Sequence, residues 1–142
     1  MLKPSYIVGL VDGEGSFTVH IPDPNSDKDV KRRARAEPRF YLKLIGKDKE
    51  ILEKLKSYFD CGKVYIQRDK RNNREDCYRY EVANRHDLQE IIIPFFKKHK
   101  PKLKTKRKDF ELFCEIMEGI EKDKHLSEKG LKELYEIKKK MH

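Results

Sequence analysis

The sequence predicts an α+β protein: a twisted antiparallel sheet of four strands with helices on one face, in the order α-β-β-α-β-β-α, with extra C-terminal helices. Three observations predict it. Residues 16–21 and 39–45 alternate apolar and polar side chains, the period of a half-buried strand. Residues 51–59 and 110–120 carry apolar side chains at helical spacing. The strand-like segments come in pairs with helical stretches between the pairs, which suits hairpins of an antiparallel sheet covered by helices.

Residues 5–13 form a short, almost wholly apolar segment behind Pro4, closed by Gly13, and predict a brief buried helix. In the strand that follows, Phe17, Val19 and Ile21 face inward and Ser16, Thr18 and His20 outward. After a polar, basic connection, the next strand turns Phe40, Leu42 and Leu44 inward and Arg39, Tyr41 and Lys43 outward. Lys47-Asp48-Lys49 opens a helix with an apolar stripe of Ile51, Leu52, Leu55, Tyr58 and Phe59, ended by Gly62. A second hairpin sets Val64 and Ile66 against Lys63, Tyr65 and Gln67, then Tyr78, Tyr80 and Val82 against Cys77, Arg79 and Glu81. Residues 87–96 predict a helix that Pro94 kinks or splits. Phe110, Phe113, Met117 and Ile120 mark another helix, and Ser127 is the N-cap of a last one through Leu131, Leu134 and Tyr135.

A chain of 142 residues is expected to form a single domain spanning 1–142, with enough core to fold without disulfide or metal. No apolar run approaches the roughly 18 residues that span a bilayer, and the N-terminus lacks a signal-peptide layout. Cys61, Cys77 and Cys114 are odd in number and widely spaced, so they read as thiols of an intracellular protein, its compartment left open. They and the five histidines show no zinc-ligand spacing.

The formal charge is +9, with 34 Lys and Arg against 25 Asp and Glu. Residues 109–142 are slightly acidic, so the excess lies upstream. It is concentrated in three places: Lys28 to Lys43, through Lys31, Arg32, Arg33, Arg35 and Arg39; Lys97 to Lys108; and the turn cluster Lys70, Arg71 and Arg74. Any one run is accounted for by a solvated face. Three, beside an outward sheet face of Ser16, Thr18, His20, Arg39, Tyr41, Lys43, Lys63, Tyr65, Gln67 and Arg79, predict a nucleic-acid partner whose binding weakens steeply with salt. None of the basic runs forms an amphipathic helix with a bulky apolar face, so no membrane partner is expected.

The segment Ile7-Val8-Gly9-Leu10-Val11-Asp12-Gly13-Glu14-Gly15 carries the chemistry. Gly9 and Gly13 share one helical face, where glycine costs about 1 kcal/mol relative to alanine. Close approach of a second helix is one reason for them. Glu14 then emerges just beyond the negative pole of the helix, where an acid is misplaced unless a cation is present. Paired with its counterpart from a second copy, it makes a site for a hard divalent cation. The alternative is a glycine-rich C-cap with Glu14 an exposed strand residue.

This segment resembles the signature of the LAGLIDADG homing endonucleases in all nine positions. Lys47-Asp48-Lys49-Glu50-Ile51-Leu52, and Leu103-Lys104-Thr105-Lys106 ahead of Asp109-Phe110, extend the likeness over about residues 5–120. The resemblance implies the homing-endonuclease αββαββα fold and an intron-encoded, site-specific double-strand DNA endonuclease that leaves short 3′ overhangs. Mg²⁺ is the implied cofactor, with Mn²⁺ or Ca²⁺ able to substitute for binding. Glu14 would bind the metal with the Gly13 carbonyl. Lys104 would stabilise the scissile phosphate or orient water, with Lys106 and Lys47 as further catalytic candidates. One motif copy implies a homodimer through Tyr6, Gly9, Leu10, Asp12 and Gly13, reading a palindromic or near-palindromic duplex. Two positions depart from the pattern. Glu14 replaces the commoner aspartate, and Gly46 stands where many members carry a polar side chain, often Gln. Gly46 and the high basic charge favour the rival expectation of a non-catalytic nucleic-acid binder, such as an RNA-splicing maturase. A ribosomal-type basic protein explains the charge but not the motif.

Overall fold

The computed structural model describes residues 1–24, 36–68 and 76–142. Its elements are helix α1 (Pro4–Glu14), strands β1 (Gly15–His20) and β2 (Glu37–Ile45), helix α2 (Lys49–Phe59), strands β3 (Lys63–Gln67) and β4 (Cys77–Val82), a helical stretch α3 (85–98), and helices α4 (Lys104–Glu121) and α5 (Glu128–Lys138). The four strands form one sheet in the order β1-β2-β4-β3. The αββαββα order with further C-terminal helix is the one expected. Among the described residues, no helix is long and apolar enough to cross a membrane.

The chain groups into two compact units. The first joins residues 1–16 to 39–103, and the second joins 17–38 to 104–142. In the first, β2 pairs antiparallel with β4 and β4 with β3. Leu42 lies opposite Tyr80, and Phe40 opposite Val82, so all four point to the buried side, as the alternation requires. Phe96 packs on Phe40 at 5.4 Å between ring centres, and Phe95 stands edge-on to Phe59 at 5.1 Å. Tilted and edge-to-face aromatic pairs of this kind add to the burial that holds α2 and α3 on the sheet. Ile7, Val8 and Val11 bury the other face of α1.

In the second unit, Phe17 of β1 lies against Phe110 and Phe113 of α4, at 5.1 and 5.6 Å. Val19, Ile21, Ile116, Met117 and Ile120 continue that core with Leu131 and Leu134 of α5. Ser127 caps α5 as expected, its Oγ accepting the Gly130 N–H at 3.0 Å.

Several boundaries differ from the sequence expectation. Glu14 is the last residue of α1 rather than a residue beyond it, and Gly15 follows at a tight junction where a Cβ would meet Val11 within 2.7 Å. A 3₁₀ turn, Gly46–Asp48, precedes α2, which ends where Asp60 takes a left-handed φ of 53°. Gly62 follows with φ 88°, packed where a side chain would strike Tyr80 and the Glu81 carbonyl. The helical stretch is divided just ahead of Pro94, which stands at the start of its last segment, Ile93–Lys98. A wide turn, Leu88–Ile92, comes first, and the Ile93 N–H bonds five residues back to Leu88 O. This resets the ladder before the position where proline has no N–H to give. In β3 only Val64 is partly sheltered, and Ile66 stays exposed on the edge strand.

Candidate functional site

The motif helix divides its faces sharply. Ile7, Val8 and Val11 are buried, whereas Gly9, Gly13 and Glu14 are exposed and Tyr6 is 48% exposed. Among the described residues, a Cβ built on Gly9 or Gly13 meets nothing within 4 Å. The glycines therefore relieve no contact among the described residues, and the bare surface they make is exposed. Leu10 and Asp12 are partly exposed beside it.

Asp12 has a partner inside the chain. Its Oδ2 and Oδ1 accept the Lys102 N–H at 3.0 and 3.1 Å, and Oδ1 accepts the Leu103 N–H at 3.4 Å. The carboxylate thus holds the backbone immediately ahead of Lys104, the first residue of α4. Lys104 is exposed and Lys106 partly buried. Lys47 is exposed in the 3₁₀ turn. Gly46, beside it, donates its N–H to the Asp76 carbonyl at 3.0 Å, and a Cβ there would lie 3.3 Å from that oxygen. The close pass of the two backbones is a local reason for glycine at this position.

Among the described residues, no three or more His, Cys, Asp or Glu side chains gather into a metal cluster. What the end of α1 offers is one exposed carboxylate, Glu14, and the backbone oxygens of a last helical turn, Gly13 among them. Oxygen donors at the negative pole of a helix fit a hard divalent cation in kind, but these donors alone are too few to enclose it.

The outward sheet face is defined by register. Tyr41, Glu81 and Lys63 form one cross-strand row, and Lys43, Arg79 and Tyr65 the next. Gln67 lies opposite Cys77 in a third. The polar faces of β2, β3 and β4 are therefore brought together as expected, with Arg39 at the upstream end of β2. Along β1, Ser16 and Thr18 are partly exposed and His20 is exposed. Arg32, Arg33, Arg35, Lys70, Arg71 and Arg74 lie outside the described residues.

Arg79 does not extend from this face. Its guanidinium stacks on Tyr41 at 3.6 Å and bonds to Glu81 at 2.7 Å, leaving its side chain 17% exposed. Glu81 was not among the residues expected to matter. The signal that finds it is an acid two residues from an arginine on one face of a strand, surrounded across strands by bases and aromatics.

These features define a class before they define a family: an α+β chain whose first helix bears a bare glycine face and ends in an exposed acid, and whose sheet carries a polar face rich in basic and aromatic side chains. The family model described as LAGLIDADG endonuclease matches residues 7–117, and the chain belongs to that family. It is 37% identical over 111 residues to the probable intron-encoded DNA endonuclease 1 of Mycosarcoma maydis, a match covering 78% of this chain and 35% of that protein. The chain thus spans about a third of that relative. Among solved structures, it superposes on the homing endonuclease I-TnaI with a TM-score of 0.84 and 33% identity, covering 99% of this chain and 88% of that one. It also matches I-SmaMI bound to uncleaved DNA target in the presence of calcium ions, with a TM-score of 0.81 and 29% identity, over 98% of this chain and 44% of that one.

Proposed function

We propose that this chain is a site-specific, intron-encoded DNA endonuclease that works as a homodimer on palindromic or near-palindromic duplex, its 142 residues acting as one endonuclease domain. The observation that carries the reading is the exposed Glu14 at the end of a helix whose Gly9 and Gly13 face is open. Two such helices in contact would bring two Glu14 carboxylates and two Gly13 carbonyls to one axis, a fuller donor set than the end of one helix offers. A bound Mg²⁺ would supply positive charge at the scissile phosphate and a more acidic water, and short 3′ overhangs are the expected product.

The chain's own residues would do the rest. Asp12 fixes the backbone leading into Lys104. Lys104, with Lys106 and Lys47, would offset the negative charge that grows on the phosphate during attack. The polar faces of the strands would lie on the bases, while the basic segments neutralise backbone phosphates.

The test is incubation of a random-sequence duplex library with Mg²⁺, comparing wild type with Glu14→Gln. The expected result is cohesive ends at discrete, near-palindromic sites with wild type, and binding to the same sites without cutting by the variant. Full cleavage by Glu14→Gln would sink the assignment of the metal site. A shared bound sequence with no cutting by wild type would point to a binder instead.

A further inference from the structure

One acid sits in the middle of the outward sheet face. Glu81, on the strand between β2 and β3, has Tyr41 and Lys63 as cross-strand neighbours, and Lys43, Arg79 and Tyr65 form the adjoining row. On a surface that binds a polyanion, a carboxylate repels the ligand, so its place needs a reason. The geometry gives one. Glu81 Oε1 accepts from Arg79 at 2.7 Å and lies 3.7 Å from Arg39 Nη1. Tyr65, opposite Arg79 on the neighbouring strand, has its hydroxyl within reach of the same carboxylate. Glu81 is only 16% exposed, and Arg79 is pinned from its other side by Tyr41.

The three partners differ in what they leave to solvent. Arg79 is largely covered by its stack and its ion pair. Arg39 and Tyr65 keep 41% and 39% of their surface. An arginine on a mobile stem adapts to many ligand geometries, whereas one held by a carboxylate rejects acceptors that lie elsewhere. With all three groups drawn to it, Glu81 has little capacity left to accept from a base itself.

We infer that Glu81 is a positioning residue for sequence readout: it holds Arg39 and Tyr65 in fixed poses on the sheet face, with Arg79 as the strut packed beneath. This rests on the DNA-binding reading above and adds to it the origin of the selectivity. Lost positioning should relax discrimination rather than abolish binding.

The experiment selects bound duplexes from a random-sequence library with wild type, Glu81→Gln and Glu81→Asp, then measures affinity for the selected and for unrelated duplex against salt. Glu81→Gln keeps the shape and removes the charge. It should bind unrelated duplex at least as well as wild type, with a salt slope steeper by about one, and lose about tenfold or more in selectivity. Glu81→Asp keeps the charge but shortens the reach, so its selectivity should fall with the salt slope unchanged. Circular dichroism establishes folding, and Glu81→Asp carries the test if Glu81→Gln does not fold. A folded variant as selective as wild type overturns the proposal, as does a selectivity loss in Glu81→Gln alone, which would make Glu81 a matter of charge. Failure of wild type to select any duplex would instead remove the DNA reading beneath it.

Discussion

The Asp12 carboxylate takes both its oxygens to the Lys102 backbone N–H, at 3.0 and 3.1 Å, across 90 residues of chain. Leu103 adds a longer bond at 3.4 Å. The motif helix thereby anchors the strand of backbone that enters α4, much as a cap residue serves N–H groups that a helix leaves unpaired. Asp12→Ala should destabilise the chain by about 1–2 kcal/mol, and Asp12→Asn, which keeps one acceptor, by less. Urea denaturation decides it, and an unchanged midpoint in Asp12→Ala would show that the anchor contributes nothing.

Gly9 separates two effects that have opposite signs. In a helix interior, alanine is favoured over glycine by about 0.8–1 kcal/mol, and the space around Gly9 is open among the described residues. Gly9→Ala should therefore raise the melting temperature of the dilute chain. If two copies meet on this face, the same methyl should weaken self-association, read by sedimentation equilibrium. A higher melting temperature with self-association unaltered would place the contact elsewhere.

The two sides of this prediction differ in how far the sequence revealed them. The strands were legible because burial follows period two: Phe17 and Val19, Phe40 and Leu42, Tyr80 and Val82 are buried, with polar residues between. Ser127 was legible because a cap acts over three residues. Local pattern fails where the cause is distant or subtle. Nothing near Asp12 in the sequence indicates Lys102. Pro94 announces a disturbance, but whether a helix bends or inserts a wide turn depends on what Leu88, Ile92 and Phe96 bury. Alternation marks the outward face as polar, yet its internal pairing, with Arg79 laid across the face against Tyr41 and Glu81, depends on side-chain poses that alternation does not set. Glu14 and its glycine face were legible as candidates because Gly9, Gly13 and Glu14 lie within one nine-residue segment. The acid that organises the sheet face belongs to no motif.

Tyr80 makes the stability of the fold depend on alkaline pH. Its side chain is wholly buried, and its hydroxyl donates to the Cys61 carbonyl at 2.9 Å. Burial first, then the nearby Cys61 and Asp87, hold the phenol well above its ordinary value of 10.0. The folded chain keeps this proton more tightly than the unfolded chain does. Its contribution is therefore fully present below the unfolded value and is lost as pH rises past it, at up to ~1.4 kcal/mol per pH unit. Tyr80→Phe removes the titrating group and deprives the Cys61 carbonyl of its donor, which should cost about 1–2 kcal/mol near neutrality. The gap between wild type and variant should then narrow as pH rises above about 10, as wild type loses what the variant never had. Urea midpoints for both proteins from about pH 7 to about pH 11 measure this. Parallel curves would assign the alkaline loss to other groups, of which Cys61 and Tyr65 are also shifted upward by burial.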